Sequence, residues 1–280
     1  MDRNRDNVAV SALYTAATWQ WAGLECADFV TPAHSRRLFR QVNAFLRLYR
    51  WINPSSYSLP HQLLHRHAAI DHLVRQAGHA RVLELAAGFS ARGSRFSRDP
   101  ALRYIELDLP DMVHSKRSQL LASAAGREVL ARHNFELRAA DALHIDLAAE
   151  FSGTPVSVIS EGLMMYFTRA QQMQVWRGIA ALLQASGGVY LFDYIPLSET
   201  PPRSLAGRLL HFLRLHVLRL RGDFTYDGRD RYGVRADLLR AGFTTVEIVD
   251  TGSVASDWRL PQATVPTRTL IYVCQARRPL

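Results

Sequence analysis

Lysine is almost missing from this chain. Lys116 is the only one in 280 residues, and arginine supplies every other cation among the 34 basic side chains. The formal net charge of +9 would suit an acidic partner, but the arginines are spread along the whole chain. Nucleic-acid recognition asks for a basic patch interleaved with aromatic residues, so nucleic acid is not an expected partner. Cysteine is scarce too. Cys26 and Cys274 lie far apart and read as buried thiols of a reducing cytoplasm, not as a bridge. No run of eighteen apolar residues occurs, so no membrane-spanning helix is expected. The first residues, MDRNRDNVAVSALY, carry no apolar leader segment, which points to a cytoplasmic location. What remains, 48% hydrophobic and 21% charged residues, is ordinary for a globular chain with a substantial core.

Glycine is also short where a nucleotide fold uses it most. Residues 81–96, RVLELAAGFSARGSRF, read as a buried strand that breaks into a small-residue turn. Val82, Leu83 and Leu85 form its apolar run, Glu84 interrupts it, and Ala86, Ala87 and Gly88 leave almost no side chain where it stops. Such a turn lets backbone N–H groups come close to a ligand. A dinucleotide fingerprint places three glycines here, the first making the tight turn at the pyrophosphate; this chain has Ala86, Gly88 and Ala91. That pattern suits an adenosine cofactor without phosphate, such as S-adenosylmethionine. A second strand follows and ends at Asp108. A bare turn after one strand and an acid after the next hold a nucleoside, the carboxylate accepting both ribose hydroxyls. An ordinary strand-to-helix turn with an N-capping aspartate is the plainer alternative.

The chain divides in character near residue 80. Before it, residues 8–25, 35–49 and 61–77 carry apolar side chains at helical spacing. After it, short aliphatic runs alternate with helical stretches, as in a parallel sheet covered on both faces. The expected strands are 81–85, 103–107, 135–139, 156–160, 189–193, 244–249 and 269–274, with helices near 111–125, 169–184 and 235–241. The expected architecture is α/β and Rossmann-like: a helical cap over 1–79, then a seven-stranded, mostly parallel domain over 80–280 with an insertion at about 198–232. Within the insertion, residues 203–221, RSLAGRLLHFLRLHVLRLR, are basic and amphipathic. They read as a lid over a substrate pocket or as a helix lying on a membrane surface.

Four blocks occur in order: ELAAGFSARG (84–93), YIELDLPDMVHSKR (104–117), AADAL (139–143) and ISEGLMMYF (159–167). Together they resemble the leucine carboxyl methyltransferase superfamily, and within it the bacterial tetracenomycin-type polyketide O-methyltransferases. The resemblance implies a class I methyltransferase fold that binds S-adenosylmethionine, releases S-adenosylhomocysteine and methylates an oxygen of a small-molecule acceptor; it favours the lid. It implies cofactor contacts from Arg66, Glu84, Ala86, Gly88, Asp108, Leu109, Asp141, Ala142 and Glu161. In it Arg66 meets the cofactor's carboxylate through two parallel hydrogen bonds, and Asp141 and Ala142 face the adenine. Tyr166 and Arg92 are the candidates for the reacting centre, Tyr166 donating to substrate or packing, Arg92 acting there or bracing the turn. The protein-methylating branch often has Asp-Thr where this chain has Ser90-Ala91.

Glu106 is expected to make a structural contact, with Lys116 or Arg117. His61, His65, His67 and His72 cluster, but no acid or cysteine completes a convincing ligand set, so no metal is expected. His114, His144 and Asp193 are unranked candidates for a general base. An acceptor carboxylate needs none, since it is ionised at neutral pH, whereas a phenol needs help. Rival readings are a nicotinamide-dependent oxidoreductase, which would need the missing glycines, and a binding protein without catalysis.

Overall fold

The computed structural model describes residues 3–52, 58–196, 228–261, 264–265, 267 and 269–277. The stretch 203–221 lies outside the described residues, and the expected insertion enters them only at residue 228. One sheet holds seven strands: β1 (Arg81–Leu85), β2 (Arg103–Asp108), β3 (Phe135–Ala139), β4 (Val156–Ser160), β5 (Gly188–Tyr194), β6 (Thr245–Asp250) and β7 (Leu270–Gln275). Their order is β3-β2-β1-β4-β5-β7-β6. β1 to β5 pair in parallel; β7 runs antiparallel to β5 and β6. The strand order reverses between β1 and β4, and a crevice opens at the carboxyl ends of strands at such a point.

Four helices precede the sheet: α1 (Arg3–Trp21), α2 (Ala27–Val30), α3 (Ser35–Ile52) and α4 (Leu59–Ala77). Among the described residues the later ones are α5 (Arg92–Phe96), α6 (Pro110–Leu121), α7 (Ala124–Ala131), α8 (Leu147–Phe151), α9 (Arg169–Ser186), α10 (Arg231–Ala241) and α11 (Thr251–Val254). The single helix expected over 111–125 is two. Ser123 leaves the helical conformation and its hydroxyl accepts from Gly126 N–H, so it starts α7 anew. α9 begins on a capping box formed by Thr168 and Gln171. No helix among the described residues is long and apolar enough to cross a membrane.

Alternation along the strands builds two cores. Leu83, Leu85, Ile105, Leu107, Val156 and Val158 face α8, α9 and α10. Val82, Tyr104, Ile159 and Leu191 face the side covered by α4 to α7. Glu84, Glu106, Asp108, Glu161 and Asp193 fall on that second side at two-residue spacing from these apolar residues. Helix α4 packs on β4, β5 and β7 as well as on α1, so by packing it belongs to the sheet layer too; α1 and α3 pack on each other.

Candidate active site

The turn after β1 is held in a conformation that side chains disfavour. Ala86 has φ +53° and Gly88 has φ +51°. Ala86 N–H donates to Leu107 carbonyl oxygen at 2.7 Å, tying the turn to β2. A Cβ on Gly88 would also stand 3.3 Å from Ala12 Cβ, so the small residue serves both the backbone and the approach of α1. Asp108, at the end of β2, locks the same turn: Oδ2 accepts from Gly88 N–H at 2.7 Å and Oδ1 from Leu109 N–H at 2.8 Å. Burial raises its pKa against those two bonds and the charge of Lys116. Each oxygen retains a lone pair for a further donor.

Behind the turn lies a layer of buried ions. Glu84 and Glu106 sit side by side in the β1–β2 register, a repulsive arrangement unless each meets a cation. Arg92, from α5, pairs with Glu84; Lys116, from α6, pairs with Glu106 at 2.5 Å. Lys116 also donates to Ser90 carbonyl oxygen at 2.7 Å, holding the far side of the turn. The lone lysine thus has a structural place, and Glu106 meets Lys116, one of its two expected partners. Burial first, then Glu84 and Asp108, push the Glu106 carboxyl up to about 7 despite Lys116.

Helix α4 contributes the rest. Arg66 Nε donates to Glu161 Oε1 at 2.9 Å and Nη1 to Asp193 Oδ2 at 3.0 Å. Asp193 also accepts from Gly162 N–H at 2.5 Å. Gly162 has φ +67°, and a Cβ there would lie 3.2 Å from Arg66 Nη2. His67 Nδ1 lies 2.9 Å from Glu161 Oε2, and Nε2 lies 3.1 Å from Arg95 Nη2. The same Nδ1 lies 2.8 Å from Arg92 Nη2, so His67 is wedged between Glu161 and two guanidinium groups. Arg92 Nη2 reaches Glu161 Oε2 at 2.6 Å, and Arg92 Nε reaches Asp71 Oδ1 at 2.6 Å. Burial works against ionising Glu161, but His67, Arg66 and Arg92 together hold its carboxyl well below the usual range.

These parts surround a cavity of about 360 Å³, within the range of small-molecule sites. Arg66, His67, Glu84, Ala86, Gly88, Asp108 and Glu161 form a polar side. Leu38, Val42, Phe45 and Leu46 of α3 and Met165 form an apolar one. Tyr166 and Ser11 also line it, Tyr166 Oη donating to Ser11 Oγ at 2.6 Å.

The cavity therefore gathers Arg66, Glu84, Ala86, Gly88, Asp108, Glu161 and Tyr166 from the sequence reading, and leaves out four residues. Leu109 turns only its N–H to Asp108. Asp141 and Ala142 do not line the cavity; Asp141 accepts from Leu143 N–H at 2.9 Å and pairs with His144 at 3.0 Å, the behaviour of a turn aspartate. Arg92 is 0% exposed, does not line the cavity, and has every guanidinium nitrogen engaged, by Asp71, Glu84 and Glu161. Among the base candidates, His114 and His144 are exposed and away from the cavity, and Asp193 is consumed by Arg66 and Gly162. The sequence reading missed His67 as a partner of Glu161, and with it Asp71, Arg95 and Tyr104. One signal was present: His67 and Asp71 stand four apart on a helix, so they share a face.

The topology is that of a Rossmann-like methyltransferase, and solved structures share it. An O-methyltransferase family protein from Burkholderia thailandensis superposes with a TM-score of 0.52 at 18% identity, over 91% of this chain and 63% of that one. A Nostoc punctiforme protein provisionally assigned as an O-methyltransferase gives 0.52 at 16% identity, over 77% and 57%. The chain thus spans little more than half the length of these proteins. No curated protein matches it. The family model for leucine carboxyl methyltransferase matches residues 18–180, and the chain belongs to that family, whose cofactor is S-adenosylmethionine.

The residues present fit that cofactor. Gly88 keeps its backbone clear for a close approach, Asp108 offers lone pairs for a vicinal diol, and Arg66 has Nη2 with no acceptor of its own among the described residues. Glu161 would supply negative charge for the cofactor's ammonium group or sulfonium.

Proposed function

We propose that this methyltransferase acts on an oxygen, a carboxylate or a hydroxyl, of a small and largely apolar acceptor such as a polyketide-like secondary metabolite. The supporting observation is one cavity in which a polar, cofactor-type side meets the apolar side of α3 and the Tyr166–Ser11 hydroxyl pair. When bound, the cofactor supplies a methyl group already activated on a cationic sulfur. The chain's own work is then alignment and exclusion of water. Asp108 and the Gly88 turn hold the nucleoside, Arg66 takes the amino-acid carboxylate, and the helices before β1 serve as a cap that covers the acceptor. Tyr166, which lines the cavity beside Ser11, directs the acceptor oxygen in this reading.

The titratable groups Arg66, His67, Glu84, Asp108 and Glu161 that line the cavity are all already paired. That favours an acceptor that is ionised by itself, a carboxylate with pKa near ~4. With purified protein and methyl-labelled cofactor, mass spectrometry of candidate acids should find products one methyl heavier, at a rate flat from neutral to mildly alkaline pH. A rate climbing steeply across that window would indicate a hydroxyl acceptor and a base.

Asp108→Ala removes the diol contact and the lock on Gly88 together. Calorimetry with S-adenosylhomocysteine should show binding weakened by about 1–3 kcal/mol. Unchanged affinity would take Asp108 out of the cofactor site.

A further inference from the structure

A second cavity, of about 230 Å³, is walled by α4, the end of α5 and the segment Trp258 to Pro261. His67 borders both cavities, so the second lies across its ring from the cofactor side. Its charge is one-sided. Arg75, Arg95 and Arg259 all line it. The guanidinium carbons of Arg75 and Arg95 lie 4.9 and 5.9 Å from the centroid of one ring, Phe96, which brings two like charges onto a shared aromatic platform.

Neither Arg75 nor Arg259 has a carboxylate partner among the described residues. The acid in the wall, Asp71, is committed to Arg92 and Arg95. Arg95 spends Nη2 on Asp71 and His67, and its buried Nε has no acceptor among the described residues. The opposite wall is rigid: His72 stacks on Trp258 with ring centroids 4.3 Å apart and 12° between planes. Arg259, next in the chain, has φ +51°, a conformation in which a non-glycine residue is strained. Its N–H donates to Ser256 carbonyl oxygen at 3.1 Å, and Leu260 N–H to Ala255 carbonyl oxygen at 2.8 Å, which hold it there.

We infer that this cleft binds a small oxyanion of the phosphate class, free phosphate or a phosphomonoester head. Guanidinium groups are planar multiple donors that match such an ion, and an anion among three of them relieves their mutual repulsion. The cavity has room for a tetrahedral oxyanion, and His67 separates it from the cofactor side, so the occupant is neither cofactor nor methyl acceptor.

The test is calorimetric titration of the full chain with inorganic phosphate at constant ionic strength, with phenyl phosphate and acetate in parallel. Saturable, one-site phosphate binding is expected, at least tenfold tighter than acetate. Arg75→Ala combined with Arg259→Asn should weaken it tenfold or more with only a small shift of the urea midpoint, because neither side chain has a carboxylate partner among the described residues and Arg75 gives up one exposed cation–π contact to Phe96; asparagine tolerates the left-handed backbone. Phenyl phosphate binding as well as phosphate identifies a monoester head, and binding of phosphate alone identifies the free ion. The inference is overturned by a response that only follows ionic strength, by acetate binding equally well, or by unchanged affinity in the double variant. Displacement of phosphate by saturating S-adenosylhomocysteine would place the ion in the cofactor cavity and overturn it as well.

Discussion

Arg92→Met should lose roughly 3–5 kcal/mol of folding stability, the cost of leaving buried charge uncompensated. Total stability of a domain is about 5–15 kcal/mol, so much of the protein would be near its unfolding limit. Arg92 is 0% exposed and is the shared cation of Asp71, Glu84 and Glu161. Methionine fills similar space but strands carboxylates that α4, β1 and β4 bring to one point. Arg92→Lys should rescue little, because an ammonium is a point charge and cannot donate in three directions from one plane. Arg103→Ala is the control. Its partner Glu136 is 38% exposed and Arg103 itself 61%, and such surface pairs contribute about 0–1 kcal/mol. Urea unfolding of the three variants checks the ranking. An Arg92→Met midpoint equal to the parent's would mean that the buried ions are not what joins α4 and α5 to the sheet.

The dependence on Arg92 explains which parts of the site could be read from sequence. The strands were legible because each is a short local run of aliphatic residues, the central ones buried on both faces, and every one lies within a residue of its expected ends. The Gly88 turn and Asp108 were legible because they are consecutive events on neighbouring strands. The ion layer was not. Arg66 and Glu161 are 95 positions apart, and nothing local in either segment names the other. Arg92 was drawn toward the reacting centre by its place beside the turn, yet sequence adjacency does not say which side of the sheet a side chain takes. Asp141 was placed by the order of its motif alone; what the structure adds is local, an acceptor for Leu143 N–H and a partner for His144. Glu106 was easier, since Lys116 stands on the helix that directly follows its own strand.

The second large effect is loss of stability in acid. The sign follows from the buried acids. Burial raises the Asp71 carboxyl, but His67, Arg92 and Arg95 outweigh it and bring it down to about 2 from an ordinary 3.8; Glu161 is held well below its ordinary 4.5. Above those ordinary values both states are ionised and the stabilisation is complete. As pH falls, the unfolded chain takes up these protons first, so the folded state loses ground. Asp71 alone accounts for about 2 kcal/mol between pH ~4 and ~2, and Glu161 adds to it over a wider span. Glu106 works in the opposite sense. Its carboxyl, pushed up to about 7, stabilises the fold most below about pH 4.5, and that contribution fades as pH rises through about 7. Stability should therefore peak on the mildly acidic side of neutrality and fall steeply below pH ~4. Asp71→Asn, though less stable at neutral pH because Arg92 and Arg95 lose a partner, should show a shallower acid limb. Urea midpoints measured across pH for both proteins decide it: parallel acid limbs would show that Asp71 is not ionised against Arg92 and Arg95, and that the cations beneath the cofactor site are balanced by other acids.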